Sequence, residues 1–217
     1  MFFELGACMD IGLYKLKYPF RKLIQFMVPR CRNMDPNLIS WALLPLAVLI
    51  ALVYWSAPDS PDLYFLGILL CFLRMIVATL DGLVAMEFNK SSELGELVNR
   101  ITPELSDLML IPAIIFSRPE YLTVGVLAMA SAWATTFFGL IGQTVRRPIQ
   151  SVGPTGQTDR LTALMLFSFL AGIAPRVAWD IDFIQIFLWW CVVGGTLTCL
   201  NRYRRTLKAE PLNTTGT

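Results

Sequence analysis

Apolar runs separated by short charged connectors make up most of the chain. A helix of about 20 residues, rising 1.5 Å per residue, is long enough to cross the roughly 30 Å hydrocarbon layer of a membrane. Six stretches have about this length, at 38–56, 63–86, 94–117, 121–145, 161–178 and 183–201. Pro175 and Arg176 shorten the fifth stretch, but without it the connector charges would have no consistent sidedness. The pattern therefore predicts an all-α, polytopic membrane protein with six transmembrane helices.

Composition supports a membrane protein and excludes several other classes. Of the 217 residues, 55% are hydrophobic and 16% are charged, whereas about 25% are charged in a typical soluble domain. The net charge of +2 gives no reason to expect a nucleic-acid partner. The five cysteines show no CxxC spacing, so they predict neither a disulfide framework nor a thiolate metal site.

Basic residues in the connectors predict the orientation in the membrane. Lysine and arginine concentrate on the cytoplasmic side of membrane proteins. In the six-span arrangement one side receives the N-terminal segment, the second and fourth connectors and the C-terminal tail, which carry Lys15, Lys17, Arg21, Lys22, Arg30, Arg32, Lys90, Arg146, Arg147, Arg160, Arg202, Arg204, Arg205 and Lys208. We therefore expect both termini to be cytoplasmic in a multi-pass protein of the cell inner (cytoplasmic) membrane.

The segment before the first span has the pattern of an amphipathic helix. Leu16, Phe20, Ile24 and Met27 fall on one helical stripe, with basic residues around it. This pattern favours a helix lying on the anionic cytoplasmic leaflet, and the alternative is an ordinary basic flank that orients the first span. The predicted organisation is an N-terminal cytoplasmic segment with an interfacial helix (1–34), a six-helix membrane domain (35–205) and a cytoplasmic tail (206–217).

Ionisable residues concentrate in the second and third spans. A charge near the bilayer centre costs at least about 2.5–3.5 kcal/mol, so such residues usually face a cavity or a partner. Counted from the connector between the spans, Asp81 and Asn99 both lie roughly 8–9 Å deep, which allows a shared shallow pocket. Arg74 and Asp107 lie at a matching depth of roughly 18–21 Å. An ion pair between these two is favoured over a direct catalytic role.

Helical spacing places small and polar residues on common faces of these two spans. Ala78, Asp81, Gly82 and Ala85 share one side of the second span, and Gly95, Asn99, Pro103 and Asp107 follow each other at intervals of four in the third. Small residues permit close packing of the helices, or they leave a slot where a phosphate or nucleotide approaches the main chain.

This arrangement resembles the CDP-alcohol phosphotransferase family, in a divergent bacterial branch with a degenerate motif. The family signature is D-x-x-D-G-x-x-A-R, about eight residues, then G-x-x-x-D-x-x-x-D. Matches occur at Asp81, Gly82, Ala85 and Gly95. Departures occur at four positions, where the chain has Ala78, Met86, Asn99 and Pro103. "DPNLIS" at 35–40 and "GPTGQTDR" at 153–160 are similar to further family segments, so the resemblance covers about 35–205.

The resemblance implies a six-helix fold and a reaction in phospholipid synthesis. A CDP-linked donor such as CDP-diacylglycerol meets an acceptor alcohol, CMP leaves and a phosphodiester forms. The implied site has Asp81 and Asn99 as catalytic and metal-binding residues for Mg²⁺ or Mn²⁺, and Asp81, Gly82, Ala85 and Gly95 at the nucleotide. Membrane lipid and a homodimeric partner are also implied. The arginines Arg146, Arg147 and Arg160 are candidates for an acceptor or phosphate pocket.

Two function classes stay open at this point. One is a divergent CDP-alcohol phosphatidyltransferase, and the other is a catalytically silent relative that binds lipid or partners another membrane enzyme. Glu93, Glu96 and Glu104 are candidate replacement carboxylates, although Glu96, Arg100 and Glu104 also form consecutive i, i+4 pairs. A transporter is disfavoured because the ionisable cluster lies toward one side and no inverted repeat is evident.

Overall fold

A computed structural model of the chain describes residues 17–210, and side chains from residue 19 onward except that of residue 100. Within this range the protein is helical and contains no strand. Its α-helices are α1 Lys17–Ile24, α2 Pro36–Trp41, α3 Leu43–Ser56, α4 Leu63–Glu87, α5 Glu93–Phe116, α6 Leu122–Leu140, α7 Gln157–Ile173 and α8 Phe183–Lys208.

Capping residues explain where several of these helices begin. Asp35 accepts a hydrogen bond from the backbone N–H of Asn37, and Pro36 fills the first position of α2, where its missing N–H is not needed. Ser92 caps α5 through the N–H of Gly95, and Asp182 caps α8 through two backbone N–H groups. The polar residues that end each connector therefore also start the next helix.

The six long helices form a closed ring. The pairs in contact are α3 with α4, α4 with α7, α7 with α8, α8 with α6, α6 with α5, and α5 with α3. Large apolar side chains such as Ile50, Tyr54, Ile114 and Leu188 are almost fully buried between them. The outward faces carry exposed leucine, valine and tryptophan, which suits lipid rather than water.

Contacts between connectors define two ends of this ring. At one end, Tyr121 donates a hydrogen bond to Asp182 and Arg176 pairs with Asp62. We call it the Asp182 end, comprising residues 57–62, 117–121 and 174–182. The opposite end, called the Lys90 end, comprises residues 32–37, 88–95, 146–156 and 202–206. There the Nζ of Lys90 donates to the carbonyl of Arg32 at 2.6 Å.

Within the described residues, five helical segments are long and apolar enough to cross a membrane: Pro36–Ser56, Leu63–Glu87, Pro119–Val145, Gln157–Val177 and Phe183–Lys208. These correspond to five of the six predicted spans. The remaining one, α5, has 24 residues and runs between the same two ends, but its charged N-terminal half keeps it outside that set. Six spans therefore stay a prediction, whereas helices without strands and five candidate spans are observed in residues 17–210.

The N-terminal helix uses its predicted apolar stripe against the protein. Ile24 is buried, Met27 is half-buried beside the α4 residue Leu80, and the ring of Phe20 meets Phe72 of α4 with centroids 6.0 Å apart. Leu16 and the chain before it lie outside the described residues. The stripe thus packs on α4, and the position of this helix in a membrane interface stays a prediction.

Single-cysteine labelling tests the predicted orientation. In a background lacking the native cysteines, Ser91→Cys and Ser151→Cys at the Lys90 end should be protected from a membrane-impermeant thiol reagent in intact cells. Ser60→Cys at the Asp182 end should react, and all three serines are exposed, so reactivity reports sidedness. External labelling at position 91 or 151 would reverse the predicted topology.

Candidate functional site

The predicted pocket forms at the Lys90 end, where α2, the C-terminal part of α4 and the start of α5 meet. Lys90 holds this end together because its Nζ also donates to the carbonyl of Met34 at 2.9 Å. The loop between α4 and α5 is therefore tied to the segment that precedes α2. This contact brings the two halves of the sequence motif, at 78–86 in α4 and 95–103 in α5, beside the segment "DPNLIS" at 35–40.

Asp81 is the buried carboxylate of this pocket, with only 2% of its surface exposed. Its Oδ2 accepts a hydrogen bond from the hydroxyl of Ser40 at 2.5 Å, and its Oδ1 accepts from the backbone N–H of Gly82 at 2.6 Å. Hydrogen bonds to a carboxylate are stronger than those between neutral groups. The Ser40 contact joins α2 to α4 directly.

Glycines 82 and 95 have different surroundings. Among the side chains that the structure describes, a Cβ placed on Gly82 would come within 4 Å of one atom, the side-chain amide nitrogen of Asn99 at 3.6 Å, so a methyl group has room there. A Cβ on Gly95 would come within 3.0 Å of both the Asn37 and the Ser92 side-chain oxygens. Gly95 therefore serves the close approach of α5 to α2, while Gly82 leaves an open slot next to the exposed Asn99.

Three other motif positions offer no side-chain ligand. Ala78 and Ala85 are half-buried and apolar. At Pro103, the backbone carbonyl accepts a hydrogen bond from Nη2 of Arg74 at 2.9 Å. The position that resembles the last motif aspartate is thus occupied by a proline whose carbonyl already has a partner.

The centre of the ring contains a network built on Asp107. Its Oδ1 lies 2.7 Å from Nη2 of Arg74, which is the pair expected from the matching depths. Its Oδ2 lies 2.9 Å from Nη2 of Arg160, a contact that sequence reasoning missed. All three side chains are buried, and they belong to α5, α4 and α7. One carboxylate therefore links three helices.

Arg160 extends this network toward α6. Its Nη1 donates to the hydroxyl of Thr135 at 3.0 Å and to the carbonyl of Thr155 at 3.3 Å. Arg202 of α8 donates to the carbonyl of Thr135 and to that of Ser151. The α6–α7 connector is consequently held by two buried arginines, Arg160 and Arg202. From the sequence, Arg202 was counted only among the basic residues of the C-terminal tail.

The three arginines proposed for an acceptor or phosphate pocket lie in different environments. Arg146 is exposed, and Arg147 donates a hydrogen bond to the carbonyl of Thr206. Arg160 is 5% exposed and its Nη atoms are engaged with Asp107, Thr135 and Thr155. These contacts favour an interior, structural role for Arg160 and leave Arg146 and Arg147 as the candidates near the surface.

The pocket does not have the ligand set of a divalent-metal centre. Among the residues that the structure describes, no three histidine, cysteine, aspartate or glutamate side chains come together. Glu104, a candidate replacement, accepts a hydrogen bond from Thr136 of α6 at 3.0 Å, and Glu93 and Glu96 are exposed. Mg²⁺ and Mn²⁺ prefer several hard oxygen ligands. One buried carboxylate and an amide are a poor fit for either ion.

The interior of the ring is closely packed below the Asp107 network. A cavity of about 20 Å³ there is lined by Asp107, Arg160 and apolar residues, including Leu110 and Ile114. This volume has room for about one water molecule. This cavity is therefore too small for a substrate.

Comparison with known proteins places this geometry in context. No family model matches the sequence. The inner membrane protein YnbA of Escherichia coli (strain K12) is 28% identical over 204 residues, which cover 90% of this chain and 96% of that protein. Similarity therefore extends over nearly the whole length of both chains.

Two solved structures of Mycobacterium tuberculosis phosphatidylinositol phosphate synthase (PgsA1) are similar to this chain. The one with CDP-DAG bound has a TM-score of 0.68 at 13% identity and covers 94% of this chain and 100% of that one. This chain shares that fold. The complex of the synthase with manganese and citrate gives 0.68 at 13% identity, covering 90% and 94% respectively. At this identity the likeness establishes the fold alone.

The structure brings Gly82 beside Asn99 and Gly95 beside α2, while the functional roles of these residues stay predictions. Asp81, Gly82, Gly95 and Asn99 were expected near one another, and the contacts around both glycines agree with this. Two members of α2 were not proposed: Asn37 and Ser40. Their i, i+3 spacing within "DPNLIS" puts them on one helix face, which is the signal that could have found them.

A pair of glycine substitutions tests whether the slot at Gly82 is open. Gly82→Ala should keep or raise stability, by up to about 1 kcal/mol, because alanine is the better helix former and its methyl group has room. Gly95→Ala should be less stable than Gly82→Ala by about 1 kcal/mol, since its methyl group displaces the Ser92 cap. Thermal unfolding in detergent measures both, and equal stabilities would contradict the assigned roles.

Substitutions at Asp107 test the central network. Asp107→Asn should lower the free energy of unfolding by about 3–5 kcal/mol, because two buried guanidinium groups lose their counter-charge. Asp62→Asn removes an exposed aspartate–arginine pair and should change it by no more than about 1 kcal/mol. The double change Arg74→Asp with Asp107→Arg should not restore stability, since the new arginine would face Arg160. If that double variant regained the wild-type stability, the ion pair between positions 74 and 107 alone would account for the contribution of the network.

Proposed function

We propose that this chain is a membrane transferase of the CDP-alcohol phosphotransferase type. It would move a phosphatidyl or phosphoalcohol group from a CDP-linked donor to an acceptor hydroxyl and release CMP. The observation that carries the proposal is the convergence of Asp81, Gly82 and Asn99 with Ser40 in one pocket at the end of the ring. The fold shared with a synthase whose structure contains CDP-DAG supports the same reaction class.

The open slot at Gly82 is the proposed entrance of the nucleotide. A residue without a side chain allows a diphosphate to approach the backbone. Asn99 has an exposed amide at the rim of this slot, which can donate to phosphate and accept from the base or ribose. Ala85, on the same face of α4, would border the nucleotide without competing for hydrogen bonds.

The transfer step needs a proton acceptor near the attacking hydroxyl. The acceptor oxygen forms a bond to the donor phosphorus, the bond between that phosphorus and CMP breaks, and the hydroxyl loses its proton. Asp81 is the buried carboxylate of the pocket, so we assign it this proton, taken directly or through the hydroxyl of Ser40. No step is assigned to a metal ion, because the described residues do not supply its ligands.

Basic residues at the same end would attract the anionic substrates. Arg146 is exposed and Arg147 is half-buried, and both follow α6 at the Lys90 end. We propose that they border the acceptor side of the site and that this end faces the cytoplasm of the cell. A location in the inner membrane is also proposed, on the basis of the similarity to YnbA.

A catalytically silent relative is the second candidate. The loss of carboxylates at Ala78, Asn99 and Pro103 favours it, because one carboxylate remains where the related family motif has four. Such a protein would retain the fold and the lipid-facing surface without turnover. The two candidates differ in one measurable product, which is CMP.

Release of CMP from CDP-diacylglycerol by purified protein tests the proposal. With a panel of polyol and polyol-phosphate acceptors, wild type should release CMP. Asp81→Asn, which keeps the side-chain volume, should be slower by about 100-fold, the typical contribution of a general base. Asp59→Asn at the exposed Asp182 end is the matched control and should react at the wild-type rate. Wild type without CMP release for any acceptor would favour the silent relative.

A further inference from the structure

The protein atoms around Asp81 differ from those that hold a divalent cation. Four side-chain positions face this region by the motif spacing, and they contain an alanine, an aspartate, an asparagine and a proline. Alanine and proline side chains have no donor atom. The carbonyl of Pro103, which could serve as a neutral ligand, accepts the hydrogen bond of Arg74 instead. The local charge from these positions is a single negative one.

The carboxylates of Asp107 and Glu104, which lie deeper in α5, already have other partners. Asp107 lies between two arginines, at 2.7 Å from Arg74 and 2.9 Å from Arg160. Glu104 accepts from Thr136 across the α5–α6 contact. Withdrawing Asp107 toward a metal would leave two buried guanidinium groups without a counter-charge, which is strongly unfavourable. The interior network therefore cannot replace the missing ligands.

Asp81 itself is engaged as a hydrogen-bond acceptor between helices. Ser40 donates to Oδ2 and the N–H of Gly82 donates to Oδ1. The hydroxyl of Ser40 also lies 3.3 Å from the carbonyl of Pro36, so it is held within α2 while it reaches α4. A cation bound to Oδ2 would compete with this hydroxyl for the electron density of the oxygen and would weaken the contact between α2 and α4.

We infer that the Asp81 pocket is not a divalent-metal site and that Asp81 instead anchors α2 to α4 through Ser40. The part of this inference that concerns the donor rests on the proposed function: a CDP-linked donor binds to this chain without a metal ion held by the protein. This distinguishes the chain from the synthase that shares its fold, which was solved in complex with manganese.

Binding of Mn²⁺ to the full-length protein in detergent, followed by electron paramagnetic resonance without donor, tests the first part. Wild type and Asp81→Asn should show the same weak, unsaturable binding. The triple variant Ala78→Asp, Asn99→Asp, Pro103→Asp should gain a saturable site, because it restores the carboxylates at the motif spacing. Saturable binding of one Mn²⁺ by wild type that Asp81→Asn removes would overturn the inference, whether or not the triple variant folds.

Ser40→Ala tests the anchoring role. It should lower the midpoint of thermal unfolding, and the double variant with Asp81→Asn should lose less than the sum of the two single losses, because both changes break one contact. Ser151→Ala, an exposed serine at the same end, is the matched control and should leave the midpoint unchanged. Strictly additive losses at positions 40 and 81 would overturn the anchor.

Donor affinity separates this inference from the proposed function. CDP-diacylglycerol should bind wild type equally well in EDTA and in Mg²⁺. Binding that requires Mg²⁺, and is lost in Asp81→Asn, would overturn the inference while the proposed function stands. Failure to bind the donor under either condition would overturn the proposed function, whereas the Mn²⁺ experiment on protein alone would still decide the metal question.

Discussion

The interaction of Asp107 with Arg74 and Arg160 is the constraint on which the rest of the structure depends. An isolated charge in the hydrocarbon layer is expensive, so two arginines and one aspartate can be buried there only if they stay together. Their contacts tie α4, α5 and α7 to one point inside the ring. Because Arg74 also binds the carbonyl of Pro103, it fixes the register of α4 against α5 along one further turn.

That register determines what meets at the Lys90 end. With Arg74 opposite Asp107, the helices approach each other so that Gly82 lies beside Asn99. Ser40 then adds α2 by donating to Asp81. The ionisable residues of the second and third spans therefore divide into two groups with different functions, an inner group that holds helices together and an outer group that forms the pocket. The inner charged residues of these helices are explained by contacts between helices, and only the outer ones are candidates for a chemical role.

The sequence predicted those features of the arrangement that depend only on position along the chain. Hydropathy gave the long helices, and counting residues from a connector put Arg74 and Asp107 at equal depth. It could not give the order of helices around the ring, which is decided by packing between distant segments. For this reason the contact of Arg160 with Asp107 was missed, because nothing in the chain indicates that α4 and α7 both adjoin α5's carboxylate. Arg202 was assigned to the cytoplasmic tail, whereas its side chain is buried beneath a connector.

A shared fold does not require the same chemistry at the same place, because folds host sites rather than define them. The motif positions Ala78 and Asn99 belong neither to the Asp107 network nor to the main buried apolar cluster, so the ring can keep its packing whichever residues stand there. A pocket that has one carboxylate at the four motif positions does not need a cation to offset mutual repulsion among carboxylates. The partners of Asp81 then include a serine hydroxyl and a backbone N–H. In the metal-free pocket that we infer, the hydroxyl of Ser40 therefore joins α2 directly to α4.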